Sequence, residues 1–479
     1  MSLPSAVYAH VFLQPYTLPV PFWLYLYAAA ATLILSFAII GVFVGTLPAP
    51  WLSRTTNILP GTPTAQAAWT WIVRGLRIVG VGCLSLTMLG GIVGTSDPQL
   101  NINMPLFWVA FLLGLTYLTA IIGNIYEFTN PWSSLVDGAE RLGLDLSKSR
   151  IRYPHGLGHL PAFALYVGLI WIELFTFPRP YLLSLLMILY TAATFFAVLL
   201  FGKHTWFEYG ELFSVFFRTV GTLAPVEYVH ASEGRPARIC LRLPFVNAFH
   251  DRPTHVTLVL FVMFMLSSTT YDALHETFFW VSMYWQHLLP ALEPLWGGDM
   301  IQAQSALTTW YVVYQRLGLV ASPFIYLLLY LFVLACARRV SKTTVPLATL
   351  AAQFALSLVP IALVYHATHY YTILVAEMPR LPALASDPFG LGWQLFVAAS
   401  RTSGPLNMGV IWHTQVLLML GGHVVAVYLA HVVALRVFPS QRQGVVSQLP
   451  MLALMVAYTC LGLWVLSLPL AVPQVLPIG

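Results

Sequence analysis

Asp272, His275 and Glu276 stand at i, i+3 and i+4, and His366, His369 and Tyr370 repeat that spacing, so each trio shares one face of a helix. His413 adds a third segment. All lie near the outer ends of apolar stretches that otherwise keep charge out. An ionisable group at membrane depth costs about 2.5–3.5 kcal/mol on insertion scales and by default marks a functional site. Imidazole with carboxylate is a ligand set for zinc, iron or manganese, and for copper where His dominates. The expectation is one pocket in the outer half, with Asp272, His275, His366, His369 and His413 as metal ligands. Glu276 would be the general base or a further ligand, and Tyr370 would stabilise a developing anion. A metal held there would lower the pKa of its bound water to about 7. Gln415 and Glu173, the latter able to join the cluster or to snorkel, are placed around the site.

Each residue alone has a plainer reading. A single His near a helix end is ordinarily snorkelling or hydrogen-bonded, and Asp272 with Glu276 could be a solvated helix end. Six such groups on three segments at one depth argue for a site, either a metal or haem centre or a proton-handling polar network. His423, near mid-bilayer after Gly421-Gly422, is either a packing residue or a ligand, including a ligand to haem b opposite His366 or His369. His431 lies at the inner boundary, where cationic residues are ordinary.

These residues must be positioned by membrane helices. The chain has 479 residues, 58% hydrophobic and 8% charged, against roughly 25% charged in ordinary globular domains. Apolar runs of about 18 residues or more recur along it, each a span candidate. The reading is an all-α integral membrane protein, one polytopic domain over 1–479. Ten spans fall at 22–46, 77–95, 105–125, 160–177, 181–201, 254–275, 318–337, 345–376, 409–433 and 448–470. Prolines mark several edges, at Pro21, Pro105, Pro178 and Pro180. With the N-terminus outside, eighteen of the 22 Lys and Arg fall in inner loops, leaving Arg179, Arg316, Arg380 and Arg401 outside. That asymmetry follows the positive-inside rule and puts both termini outside.

Inner loops span 126–159 and 202–253, and outer loops 277–317 and 377–408. Asn130-Pro131-Trp132 precedes a short amphipathic helix around Ser133–Leu142. The mixture of Trp206, Phe207, Phe213, Phe216 and Phe217 with Glu208, Glu211 and Arg218 suits a helix lying in the interface. Turn-prone Ser232–Pro236 separates two extended stretches, a small hairpin. Outside, 277–290 and 301–316 extend the sixth and seventh helices, and 377–408 could cap a pocket. The net charge of +5 is spread over short loops, which is no nucleic-acid footprint. Cys83, Cys240, Cys336 and Cys460 form no C-x-x-C motif, arguing against a disulfide framework or a thiolate metal site. No Lys or Arg precedes Arg54, so the start lacks the charged region of a signal peptide. Leu274-His275-Glu276-Thr277 begins the H-E-x-x-H pattern, but position 279 is Phe279.

Several segments resemble a family of prokaryotic polytopic membrane proteins known as fenitrothion hydrolases. They are Asn130-Pro131-Trp132, Tyr153–Glu173, Phe201–Glu227, MLSSTTYDALHET, YHATHYY and WHTQVLLMLGGHVVAVYLAH. The resemblance implies a prokaryotic cytoplasmic membrane and hydrolysis of organophosphate-type esters, which metal-activated hydroxide held by His and Asp commonly runs. Three functions stay open: a metal-dependent phosphotriester hydrolase, a transporter or proton- or metal-ion-handling protein, and a haem or copper redox subunit. The partners are the bilayer and a small-molecule substrate, with a second membrane subunit or homo-oligomer also open.

Overall fold

The computed structural model describes residues 21–43, 55–176, 179–231, 235–246, 255–292, 300–396 and 407–468. In chain order the main elements are α1 (Phe22–Phe43), β1 (Thr56–Asn57), α2 (Pro63–Val93), α3 (Asn103–Ile122), α4 (Pro131–Arg141), α5 (Leu160–Phe175), α6 (Pro180–Phe201), α7 (Leu212–Gly221), β2 (Val226–Val229) and β3 (Arg238–Leu241). They continue as α8 (Thr257–His275), α9 (Met300–Val340), α10 (Leu347–His369), α11 (Tyr371–Glu377), α12 (Met408–Val437) and α13 (Leu449–Ser467). Among the described residues nine helices are long and apolar enough to cross a membrane; α5, the remaining expected span, is a shorter apolar helix of 16 residues. The architecture is that of an all-α, multi-pass membrane protein.

Most spans stand where the apolar runs place them, and two differ. The second begins at Pro63 rather than 77, because Thr62 caps the helix and Pro63 occupies its first turn. The eighth is interrupted at Tyr370, where α10 ends and α11 begins. The termini, Pro178, 232–234 of the hairpin turn, Arg54, Arg252, Arg401 and 397–406 of the outer loop lie outside the described residues.

α8 is the central helix, packed on α5, α9 and α10, while α10 also packs on α12. From Phe261 to Leu266 α8 is apolar on every side and buried on every side. Small residues bring other helices close: a Cβ on Gly91 of α2 would overlap the Pro180 carbonyl and the Ser184 hydroxyl of α6. Arg77, Asp137, Glu140 and Lys203 cluster at one end of the bundle, hereafter the basic end, with Lys203 Nζ 2.5 Å from Glu140 and 3.2 Å from Asp137. The hairpin forms there as β2 against β3, and β1 adds an unanticipated third strand.

The expected interfacial helix is a correction. α7 is buried on nearly every side instead. Phe213 stacks on Trp132 at 5.4 Å and meets Phe111 edge-on at 4.9 Å and Tyr190 at 5.4 Å. Phe111 and Tyr190 each precede the basic end of their helix by eleven residues, or about 16 Å. The other end of α7, Gly221, touches Asn124 just past α3. α7 is therefore a half-helix whose N-terminus reaches mid-depth and whose C-terminus returns to the basic end. α4 does likewise: Trp132 donates to Thr191 (2.9 Å), and Lys203 pairs with α4 twelve residues later in the chain. The two N-termini meet, with Asn130 Nδ2 donating to Ser214 Oγ at 3.1 Å.

Candidate functional site

The site begins with a tie between parallel helices. At the basic end the His159 amide donates to Thr257 Oγ1 (2.7 Å), which sets the starts of α5 and α8 level. Glu173 lies fourteen residues beyond His159 and Asp272 fifteen beyond Thr257, so both carboxylates arrive about 21 Å up the bundle at one height. α10 reaches the same height where it breaks. Tyr370, with φ −91° and ψ 8°, leaves helical geometry and lies between the two carboxylates.

Its hydroxyl is 2.6 Å from Asp272 Oδ2 and 3.0 Å from Glu173 Oε1. His369 Nε2 lies 2.8 Å from the same Asp272 Oδ2. A phenol has one proton and cannot donate to both acids. Asp272 Oδ2 faces two donors, which suits an ionised carboxylate with the Nε2–H tautomer of His369. The remaining contact then requires Glu173 to carry a proton and donate it to the Tyr370 oxygen. Two unit charges roughly 5 Å apart repel by about 3 kcal/mol at an effective dielectric of about 20, which likewise disfavours two ionised carboxylates. The ordered chain is Glu173–Tyr370–Asp272–His369, holding one proton between two acids.

Two more histidines border it. His275 is buried, its Nδ1 2.8 Å from the Asp272 carbonyl oxygen and 4.0 Å from Oδ1. His366 stacks obliquely on Tyr370 at 4.8 Å, and its Nδ1 is 3.0 Å from the hydroxyl of Tyr117 on α3. Tyr117 gave no sequence signal, since a tyrosine in an apolar helix is commonplace.

Asp272, His369 and Tyr370 thus meet as anticipated, Glu173 joins them instead of snorkelling, and His275 and His366 flank them. The other expected members stand apart. His413 is exposed, bonded through Nδ1 to its own Gly409 carbonyl, with its ring beside Tyr25 of α1. Glu276 caps α8, partly exposed, 3.9 Å from His275 Nε2. Gln415 donates to the Thr368 carbonyl (2.8 Å), pinning α12 to α10. His423 is buried and bonded to the Met419 carbonyl. His431, expected at an ordinary boundary position, is fully buried against Gln448.

Asp272 bonds Tyr370 and His369, and His366 bonds Tyr117. Among the described residues no three His, Cys, Asp or Glu side chains are grouped so as to hold an ion. A haem between α10 and α12 meets a packing obstacle, because a Cβ on Gly422 would lie within 3 Å of Val364 and the helices touch there. The arrangement can share and pass a proton. No family model, curated protein or solved structure matches the chain.

Proposed function

We propose that this is a proton-handling membrane protein, best described as a proton-coupled transporter, with Glu173, Tyr370, Asp272 and His369 as the coupling site. The observation that carries the reading is the single Tyr370 hydroxyl between two buried carboxylates. A group that accepts a proton on one side and releases one on the other is a relay, and intramembrane carboxylate–histidine chains serve that role in pumps and transporters. A proton arriving at His369 moves its Nε2 proton to Asp272. Once Glu173 has released the proton it holds, Asp272 donates to the Tyr370 oxygen as the phenol proton passes to Glu173, so Tyr370 itself stays neutral.

Two backbone features support the class. The span carrying His366 and His369 is broken at Tyr370, and α4 and α7 are half-helices whose N-termini meet at mid-depth. Discontinuous helices are typical of transporter binding regions, where irregular backbone is tolerated because protein surrounds it. The Lys/Arg asymmetry assigns the basic end to the inside and the carboxylate network to the outer half of the bilayer.

The test uses the full chain in liposomes loaded with a pH-sensitive dye, under an imposed pH gradient and potential. Proton movement above protein-free vesicles is expected, and Asp272→Asn should abolish it. A wild-type rate equal to that of empty liposomes, or an undiminished Asp272→Asn rate, refutes the reading.

A further inference from the structure

From Asp272 toward the basic end, α8 continues as Ser267-Ser268-Thr269-Thr270, an unusually hydroxyl-rich stretch at membrane depth, three of its four residues fully buried. Around it stand two tyrosines from other helices. The hydroxyls of Tyr365 (α10) and Tyr326 (α9) are buried and make no well-formed hydrogen bond among the described residues, only close polar approaches to Thr270 and, for Tyr326, to Tyr458. Thr270 neighbours both, its own hydroxyl donating to the Leu266 carbonyl at 3.0 Å. Tyr365 lies four residues, one helical turn, before His369, the partner of Asp272. The Tyr326 ring lies 5.2 Å from that of Tyr458 on α13. Tyr458 is nine residues from either end of its helix, at its middle. These groups therefore lead from the carboxylate network toward the centre of the bundle.

Buried polar groups in folded proteins are almost always satisfied, and internal water does so where polar groups cluster. Building on the proton-handling reading, we infer that Asp272, Thr270, Tyr365, Tyr326 and Tyr458 line a water-holding path that carries protons between the carboxylate network and mid-depth. Each step balances: a water or phenol oxygen takes one proton and releases another, so every member returns to its starting protonation state, Asp272 to its carboxylate, and no redox partner is needed.

Radiolytic hydroxyl labelling of the full-length protein, read by mass spectrometry, tests the water directly. Tyr365 and Tyr326, if next to water, should be modified faster than Tyr330, which is bonded to the Ala351 carbonyl and as buried as Tyr365, the decisive comparison because Tyr326 is only half-buried. Labelling of Tyr365 and Tyr326 as slow as that of Tyr330 overturns the path. The proton route is tested in the same liposomes. Tyr365→Phe and Tyr326→Phe together should slow proton movement about tenfold or more. A full rate in that double variant, with Asp272→Asn inactive, refutes the path and leaves the coupling site standing. An undiminished Asp272→Asn rate refutes the coupling site itself, and the labelling result then decides the water alone.

Discussion

Glu173→Gln removes the acid that must donate to Tyr370. In the wild-type chain the roughly 3 kcal/mol repulsion between two ionised carboxylates about 5 Å apart favours the singly protonated pair by about 10²-fold. The hydrogen-bond geometry assigns that proton to Glu173, because Asp272 Oδ2 already faces Tyr370 at 2.6 Å and His369 at 2.8 Å. At neutral pH the wild-type protein should therefore show the carbonyl stretch of a buried, protonated carboxylic acid in its infrared spectrum. Glu173→Gln should lose that band, whereas Asp272→Asn should keep it with an altered frequency. Glutamine can still bond the Tyr370 oxygen, so the fold survives, but it cannot give up a proton. Proton movement in liposomes should fall about 10²-fold, the scale on which a positioned proton donor contributes. A band unchanged in Glu173→Gln would refute the assignment, and one lost only in Asp272→Asn would reverse the order of the chain.

Gly91→Ala should lower thermal stability in detergent by about 1–3 kcal/mol, because the new methyl meets α6 backbone; Gly75→Ala, with open space around it, should not. At the basic end His230 pairs with Glu127, and that hydrogen bond raises the His230 pKa above 6.5 against the burial that lowers it. Because the folded value exceeds the unfolded one, the stabilisation is full below about pH 6.5 and is lost as pH rises through the raised value. Amide exchange of β2 should thus quicken between about pH 6 and 8 beyond the intrinsic rate, and His230→Gln should remove that excess. For topology, a cysteine replacing Leu391 should react with an impermeant reagent applied from outside and one replacing Lys148 should not, in a background lacking the native cysteines; the opposite pattern reverses the orientation.

Much of the frame was legible in the residues. Apolar runs located the helices because a span must be long and apolar whatever its neighbours are. Identical helical spacing made Asp272 and His275 one face, and His366, His369 and Tyr370 another, and a fixed rise per residue put them near one height. The same logic failed for His413, which shares the depth but points to the surface beside Tyr25. Depth follows from counting along a helix, whereas azimuth follows from packing against other helices. α7 failed for a related reason. Its composition, aromatic with Glu and Arg, fits an interface or a buried half-helix equally well, and only contacts with Phe111, Tyr190 and Trp132 distinguish them.

By itself the sequence determined an all-helical membrane chain with ionisable groups gathered toward one end of its helices, since hydropathy and helical period are local properties. The tertiary structure alone decided that Glu173 joins the cluster, that Tyr370 bridges two acids, and that His369 meets Asp272 while His366 meets Tyr117. Those are distances between segments about 100 residues or more apart. Such distances depend on which helices pack together and how each is rotated, and no local pattern encodes them.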